Sequence, residues 1–131
     1  MTDKELFNIA KEATALSYSP YSSFSVGAAL LCKNGNIYKG TNIENASFSA
    51  TVCAERTALF NAILAGEREF VAIAVAAKKA DSDFTATPPC GICRQTLSEF
   101  CSKDFKVIFG TDDNIISATL EELLPHTFLL K

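Results

Sequence analysis

The sequence has no basic tract, only one histidine and no long apolar run. Net charge is −3. A chain without a positive stripe is poorly suited to a polyanionic partner, which argues against nucleic acid. The longest apolar stretches, such as residues 71–77, fall far short of the roughly 20 residues a membrane span needs. Met1-Thr-Asp-Lys-Glu5 lacks the charged-then-apolar layout of a secretion signal. The expectation is therefore a cytoplasmic protein with reduced thiols. Five cysteines is an odd count, which fits a disulfide framework poorly. His126 lies after Pro125, away from the other polar motifs, and reads as a loop residue. No repeat, linker or low-complexity segment is visible. At 131 residues, 48% apolar and 21% charged, the expectation is one folded domain over 1–131 with a real core.

What is present is a sulfur-rich pattern. Thr51-Val-Cys53-Ala-Glu55-Arg56 is followed by Pro88-Pro-Cys90-Gly-Ile-Cys93-Arg94. Cys90 and Cys93 are spaced i, i+3 at a predicted helix start, so both thiols can face one ion. A structural zinc site is usually closed by four protein ligands, whereas a catalytic one keeps a position open. Cys53, Cys90 and Cys93, with Glu55 beside them, therefore point to one Zn²⁺ per chain and hydrolytic chemistry. Residues two apart lie on nearly opposite sides of a helix with ~3.6 residues per turn. Cys53 and Glu55 can share a site only if the ion lies off the helix's N-terminal end. Two helix N-termini aimed there would stabilise thiolates. Zn²⁺ with three thiolates carries a formal charge of −1, and Arg56 and Arg94 are candidate donors to the sulfurs. Cys32 and Cys101 read as small buried hydrophobes. A thiol redox pair at Cys90 and Cys93 would need no metal, but it leaves Cys53 and Glu55 unexplained. A non-enzymatic zinc module would need a fourth ligand, and none is evident.

Periodicity predicts a helix near residues 3–18, ended by Ser19-Pro20. A strand over 24–32 meets Asn34-Gly35, a hairpin signal, and returns over 37–39. Residues 42–49 read as a polar loop. A helix over 52–65 is capped by Gly66. Residues 70–77 form an unbroken apolar strand, buried on both faces. A loop over 80–89, a helix over 90–102, a strand over 105–109 and a short strand at 115–116 follow. Thr119-Leu-Glu-Glu122 is a capping box for a last helix that ends by Pro125. A hairpin followed by alternating helices and strands predicts a mixed sheet covered by helices.

The motifs together resemble the small homotetrameric cytidine deaminases. Zinc deaminases as a class pair a His or Cys two residues before a glutamate with a later P-C-x-x-C. The resemblance here covers nearly the whole chain. It runs through Tyr18-Ser-Pro-Tyr-Ser-Ser-Phe24-Ser-Val-Gly27, Gly40-Thr-Asn42-Ile-Glu44-Asn45-Ala46, the two cysteine motifs, and Glu121-Glu-Leu-Leu-Pro125. It implies a three-layer α/β/α sandwich with a five-stranded mixed β-sheet. It also implies hydrolytic deamination of cytidine and 2′-deoxycytidine in pyrimidine salvage, with Cys53, Cys90 and Cys93 on zinc and Glu55 shuttling protons. By the same resemblance Asn42 and Glu44 hold the ribose 3′-hydroxyl, Phe24 packs by the nucleoside, and Ala46 and Ala54 line the substrate site. Phe128 would reach the base in a neighbouring subunit of a homotetramer with shared sites. The family usually carries tyrosine where this chain has Phe48, and that tyrosine helps hold the ribose 5′ end from a neighbouring subunit. A relative acting on another aminopyrimidine, such as blasticidin S, is the alternative. Without the resemblance, Asn42 and Glu44 alternate along an extended segment and so point the same way, while Phe24 and Phe128 are unassigned aromatics.

Overall fold

Alternation along the two central strands splits their side chains between two cores. Ala28, Leu30, Cys32 and Ile73 join one buried cluster, while Ala29, Ala72, Ala74 and Ala76 join the other. This is the period-2 geometry of a strand covered on both sides. The computed structural model describes all 131 residues. Its strands are β1 (Phe24–Cys32), β2 (Ile37–Thr41), β3 (Phe70–Lys79), β4 (Lys106–Gly110) and β5 (Ile115–Thr119). They form a five-stranded sheet in the order β2-β1-β3-β4-β5. Only the β3–β4 pair is parallel. Helix α1 (Asp3–Ala13) covers one face through Leu6, Phe7 and Ala10. Helices α2 (Ala54–Leu64) and α3 (Gly91–Phe100) and the short α4 (Leu120–Leu123) cover the other, through Ala58, Leu59, Ala62, Leu97 and Leu120. The expected three-layer sandwich with a mixed sheet is the observed fold.

Element boundaries differ from the sequence reading where tertiary pairing decides them. The helix predicted from residue 52 begins at Ala54, because Cys53 is extended, with φ −75° and ψ 157°. Val52 is held outside the helix by a two-way bridge to Ile43, with N···O distances of 2.9 and 3.0 Å. That bridge gives the predicted 42–49 loop partial strand character. Helix α3 begins at Gly91 and stops where Cys101 becomes extended. Helix α1 gives way after Ala13 to a tighter 3₁₀ turn over Thr14–Leu16, and Leu16 leaves the apolar stripe for solvent. β2 runs on to Thr41 because Gly40 and Thr41 pair with Ala28 and Gly27. Gly35 has the positive φ that the hairpin turn requires, and Gly66 has it just after α2. The Thr119–Glu122 capping box is present, and a second one at Thr2–Glu5 starts α1.

Two glycines set how closely helices approach the sheet. A Cβ on Gly27 would lie 2.1 Å from the Ala10 carbonyl oxygen of α1. A Cβ on Gly40 would lie 2.3 Å from Ala58 N and 2.4 Å from Ala54 O of α2. The Thr57 hydroxyl, 2.8 Å from the Thr41 carbonyl oxygen, ties the same helix turn to β2. Gly40 thus fixes the depth at which the first turn of α2 sits. Gly40→Ala is expected to destabilise the protein by at least the ~1–3 kcal/mol typical of overpacking. The check is the urea midpoint, and an unchanged midpoint contradicts this account.

Candidate active site

The N-termini of α2 and α3 converge on three sulfur atoms. Cys53 occupies the cap position of α2, Cys90 that of α3, and Cys93 the third residue of α3. Cys53 therefore sits outside its helix while Glu55 lies in the first turn, which lets both face one site. The Sγ atoms of Cys53 and Cys90 are 3.8 Å apart, and all three sulfurs lie within 4.8 Å of one another. Tetrahedral zinc with Zn–S near 2.3 Å implies sulfurs about 3.8 Å apart, so the donor set suits that ion. Glu55 is not a member of the cluster. All five cysteines are free thiols.

Several features favour thiolate here. Neither Cys53 nor Cys90 makes a side-chain capping bond, so first-turn N–H groups of both helices carry uncompensated partial positive charge. The Arg56 guanidinium donates from Nη2 to Cys53 Sγ at 3.6 Å. Its Nε is buried without a partner. A hydrogen bond with Cys93, aided by Arg56, pulls the Cys53 thiol down to about 5, while Cys93 is raised by that same interaction and by burial. Burial pushes the Cys32 and Cys101 thiols up to about 11 and about 12, as expected of inert core cysteines.

Glu55 is buried, with 5% of its surface exposed. Burial pushes its carboxyl up to about 7. It borders a pocket of about 250 Å³ lined by Phe24, Val26, Asn42, Cys53, Ala54 and Cys90, among others. The fold thus brings the cysteines, Glu55, Ala54, Phe24 and Asn42 together. Val26, Thr87 and Pro88 also line this space; Val26 and Pro88 belong to the quoted motifs without an assigned role, and Thr87 carried no signal.

Of the other expected residues, Glu44, Ala46, Phe48, Phe128 and Arg94 do not line this pocket. Asn42 is buried, and its amide clamps the start of β1: Nδ2 donates to Phe24 O at 2.8 Å and Oδ1 accepts from Val26 N at 3.0 Å. Ser17 also donates to that oxygen. Glu44 accepts from the backbone N–H groups of Tyr21 and Ser22 at 2.9 and 3.1 Å and from the Ser22 hydroxyl. The Ser22 hydroxyl is the main cause that lowers the Glu44 carboxyl below its ordinary range. Both side chains face the 17–26 segment, in keeping with their alternation. Ala46 is exposed, and Phe48 is 82% exposed beside a separate surface pocket with Tyr21, Ser22 and Glu44. Phe128 is 67% exposed and does not line its own chain's pocket. Arg94 serves other partners than the expected sulfurs. Its Nε donates to Pro89 O and its Nη1 to Leu123 O, both at 2.7 Å.

Residues 1–111 match the family model described as the cytidine and deoxycytidylate deaminase zinc-binding region. The chain belongs to this deaminase family. It is similar to the cytidine deaminase of Halalkalibacterium halodurans, at 48% identity over 98% of this chain and 95% of that one. The crystal structure of cytidine deaminase from Burkholderia pseudomallei superposes with a TM-score of 0.90 at 40% identity, covering 98% of this chain and 100% of that one. The blasticidin-S deaminase of Bacillus cereus is 31% identical over 94% of this chain and 89% of that one.

As a deaminase-family metal centre, the cluster should depend on its own sulfurs and not on the core cysteines. Cys53→Ala is expected to abolish stoichiometric zinc measured by plasma emission, whereas Cys32→Ala should keep it. Equal metal content in the two variants contradicts the assignment.

Proposed function

We propose that this protein is a cytidine deaminase, hydrolysing cytidine and 2′-deoxycytidine to the corresponding uridines with release of ammonia. The observation that carries this reading is Glu55: one buried carboxyl, raised to about 7, sharing a pocket with a three-sulfur cluster that has no fourth protein ligand. Cys53, Cys90 and Cys93 would hold one Zn²⁺, a Lewis acid that lowers the pKa of water when bound. A general base is most effective when its pKa lies near the working pH. Glu55 accepts a proton from the attacking water as oxygen adds to C4 of the base. It gives that proton to N3, then takes the proton of the added hydroxyl and passes it to the leaving amino group, so that one water is consumed and one ammonia released. Arg56 offsets negative charge at the sulfurs through its bond to Cys53.

Asn42 and Glu44 bind the ribose, using a remote part of the substrate to orient the reacting ring. Their amide and carboxylate are already fixed by the 17–26 segment, so little freedom is lost when sugar binds. No lysine or arginine lines the pocket, which supports a nucleoside substrate over a polynucleotide. Phe24, with Ala54 at the pocket wall, packs by the nucleoside, Ala46 belongs to the substrate site, and Phe48 takes the position from which the family's tyrosine reaches the ribose 5′ end of a neighbouring subunit's substrate. The higher identity to cytidine deaminase than to the blasticidin-S enzyme supports cytidine over that antibiotic. No helix is long and apolar enough to cross a membrane. We place this single catalytic domain in the cytoplasm, where thiols stay reduced, and its reaction in pyrimidine salvage.

The test is Glu55→Gln. The variant should keep its zinc and lose at least the ~10²-fold in kcat typical of a general acid–base group. Full activity, or loss of zinc, overturns the assignment.

We further propose a homotetramer with shared sites. Leu16, Ile43 and Phe60 are exposed apolar side chains that line one surface groove, and Leu64, Phe128 and Leu130 are exposed as well. Burial against other copies would explain them. Phe128 stands apart from its own pocket, as a residue serving a neighbour would. Mixing Glu55→Gln chains with Phe128→Ala chains, each inactive alone, should restore part of the activity. A monomer by light scattering, or no recovery in verified mixed tetramers, refutes the shared site.

A further inference from the structure

We propose that Arg94 is a positioning residue that ties the cysteine loop and the C-terminal tail into one mechanical unit through Pro89 O and Leu123 O. This rests on the zinc reading above. Arg94 follows Cys93 directly, yet its guanidinium donates to no sulfur. It instead holds the carbonyl of the residue before Cys90 and a carbonyl at the end of α4, each at 2.7 Å. Leu123 O is one of the carbonyls that a helix C-terminus leaves without an intrahelical partner. Leu120 O, by contrast, is already taken by Leu124 N. The Pro89 carbonyl belongs to the peptide that leads into Cys90, so fixing it fixes the direction from which that sulfur enters the cluster. Pro89 is buried and Arg94 half-buried, so these bonds compete little with water.

The next residue completes the anchorage. Gln95 Nε2 donates to Phe128 O at 3.0 Å, and the Thr127 hydroxyl bonds Leu124 O at 2.5 Å. Consecutive residues of α3 therefore hold both ends of the 123–128 segment. Arg94 has the only one of these contacts that also reaches the cysteine loop. A lysine there would keep the charge but could not grip two carbonyls in fixed directions, since its ammonium is a single point on a flexible stem.

The experiment uses the full chain loaded with zinc, and separately with cobalt. Zinc release to excess chelator, the cobalt–thiolate absorption bands and carboxypeptidase trimming of the tail are measured for wild type, Arg94→Lys, Arg94→Gln and Gln95→Ala. Both Arg94 variants should release zinc about 10-fold faster or more, the scale for groups that orient metal ligands. Their cobalt bands should shift and their tails should be trimmed faster. Gln95→Ala should speed trimming alone. Wild-type release rates and bands in the Arg94 variants overturn the proposal. So does Gln95→Ala matching them in zinc release, because a loosened tail would then suffice. A wild-type protein that holds neither metal overturns the zinc reading itself, and this proposal with it.

Discussion

Three sulfur atoms within 4.8 Å of one another cannot all carry charge unless positive charge stands close by. The fold answers with geometry before any side chain does. Two helices begin at the cluster, so their unpaired N–H groups point at the sulfurs. Cysteine takes the cap positions that serine or aspartate usually fills, and because neither sulfur makes a capping bond the first-turn N–H charge stays uncompensated beside the cluster. Arg56 adds one full charge at 3.6 Å. A divalent ion would supply the rest, and the 3.8 Å sulfur spacing suits it. Cys32 and Cys101 show the contrast: without such compensation, burial pushes them away from ionisation.

Everything else in the fold can be read as holding those two helix ends at one depth. Gly40 lets α2 settle on β2, and the Ile43–Val52 bridge stops the chain just before Cys53 from joining the helix. On the opposite face, Gly27 and the alanines of β3 let α1 lie close to the sheet. A sheet buried on both faces offers a rigid floor. That rigidity matters because a carboxyl such as Glu55 must sit within hydrogen-bond reach of the proton it moves.

The cysteine cluster and Glu55 were legible in the sequence because their chemistry is written in local spacing. The strands and the three-layer order were legible for a similar reason, since β3 carries an unbroken apolar run through Ala77, β1 is apolar from Val26 to Cys32 and the turns carry glycine. The start of α2 was not. Nothing in Thr51-Val-Cys53 forbids helix, and the bridge from Val52 to Ile43 that excludes it is a tertiary contact. The target of Arg94 was hidden for the same cause. Adjacency to Cys93 suggested a sulfur, whereas the bond formed is to Leu123, 29 residues away. The capping box at Thr2–Glu5 could have been read from its pattern alone. Phe48 and Phe128 carry no local pattern that marks them, and both are exposed and absent from the pocket lining of their own chain.

Asn42 shows how one polar side chain at the pocket can be fixed by the strand beside it. Its amide has two acceptor lone pairs and two donor hydrogens. Oδ1 receives Val26 N and Ser17, and Nδ2 gives one hydrogen to Phe24 O. One N–H has no protein partner. The three protein bonds settle which end of the amide is nitrogen, because Val26 N–H requires an acceptor and Phe24 O a donor. The direction of that last N–H is therefore set by the fold, and the strand that fixes it is the one that carries Phe24. A sugar gripped at this point and a base lying beside Phe24 would be positioned by the same end of β1, on the floor that also supports the sulfur cluster.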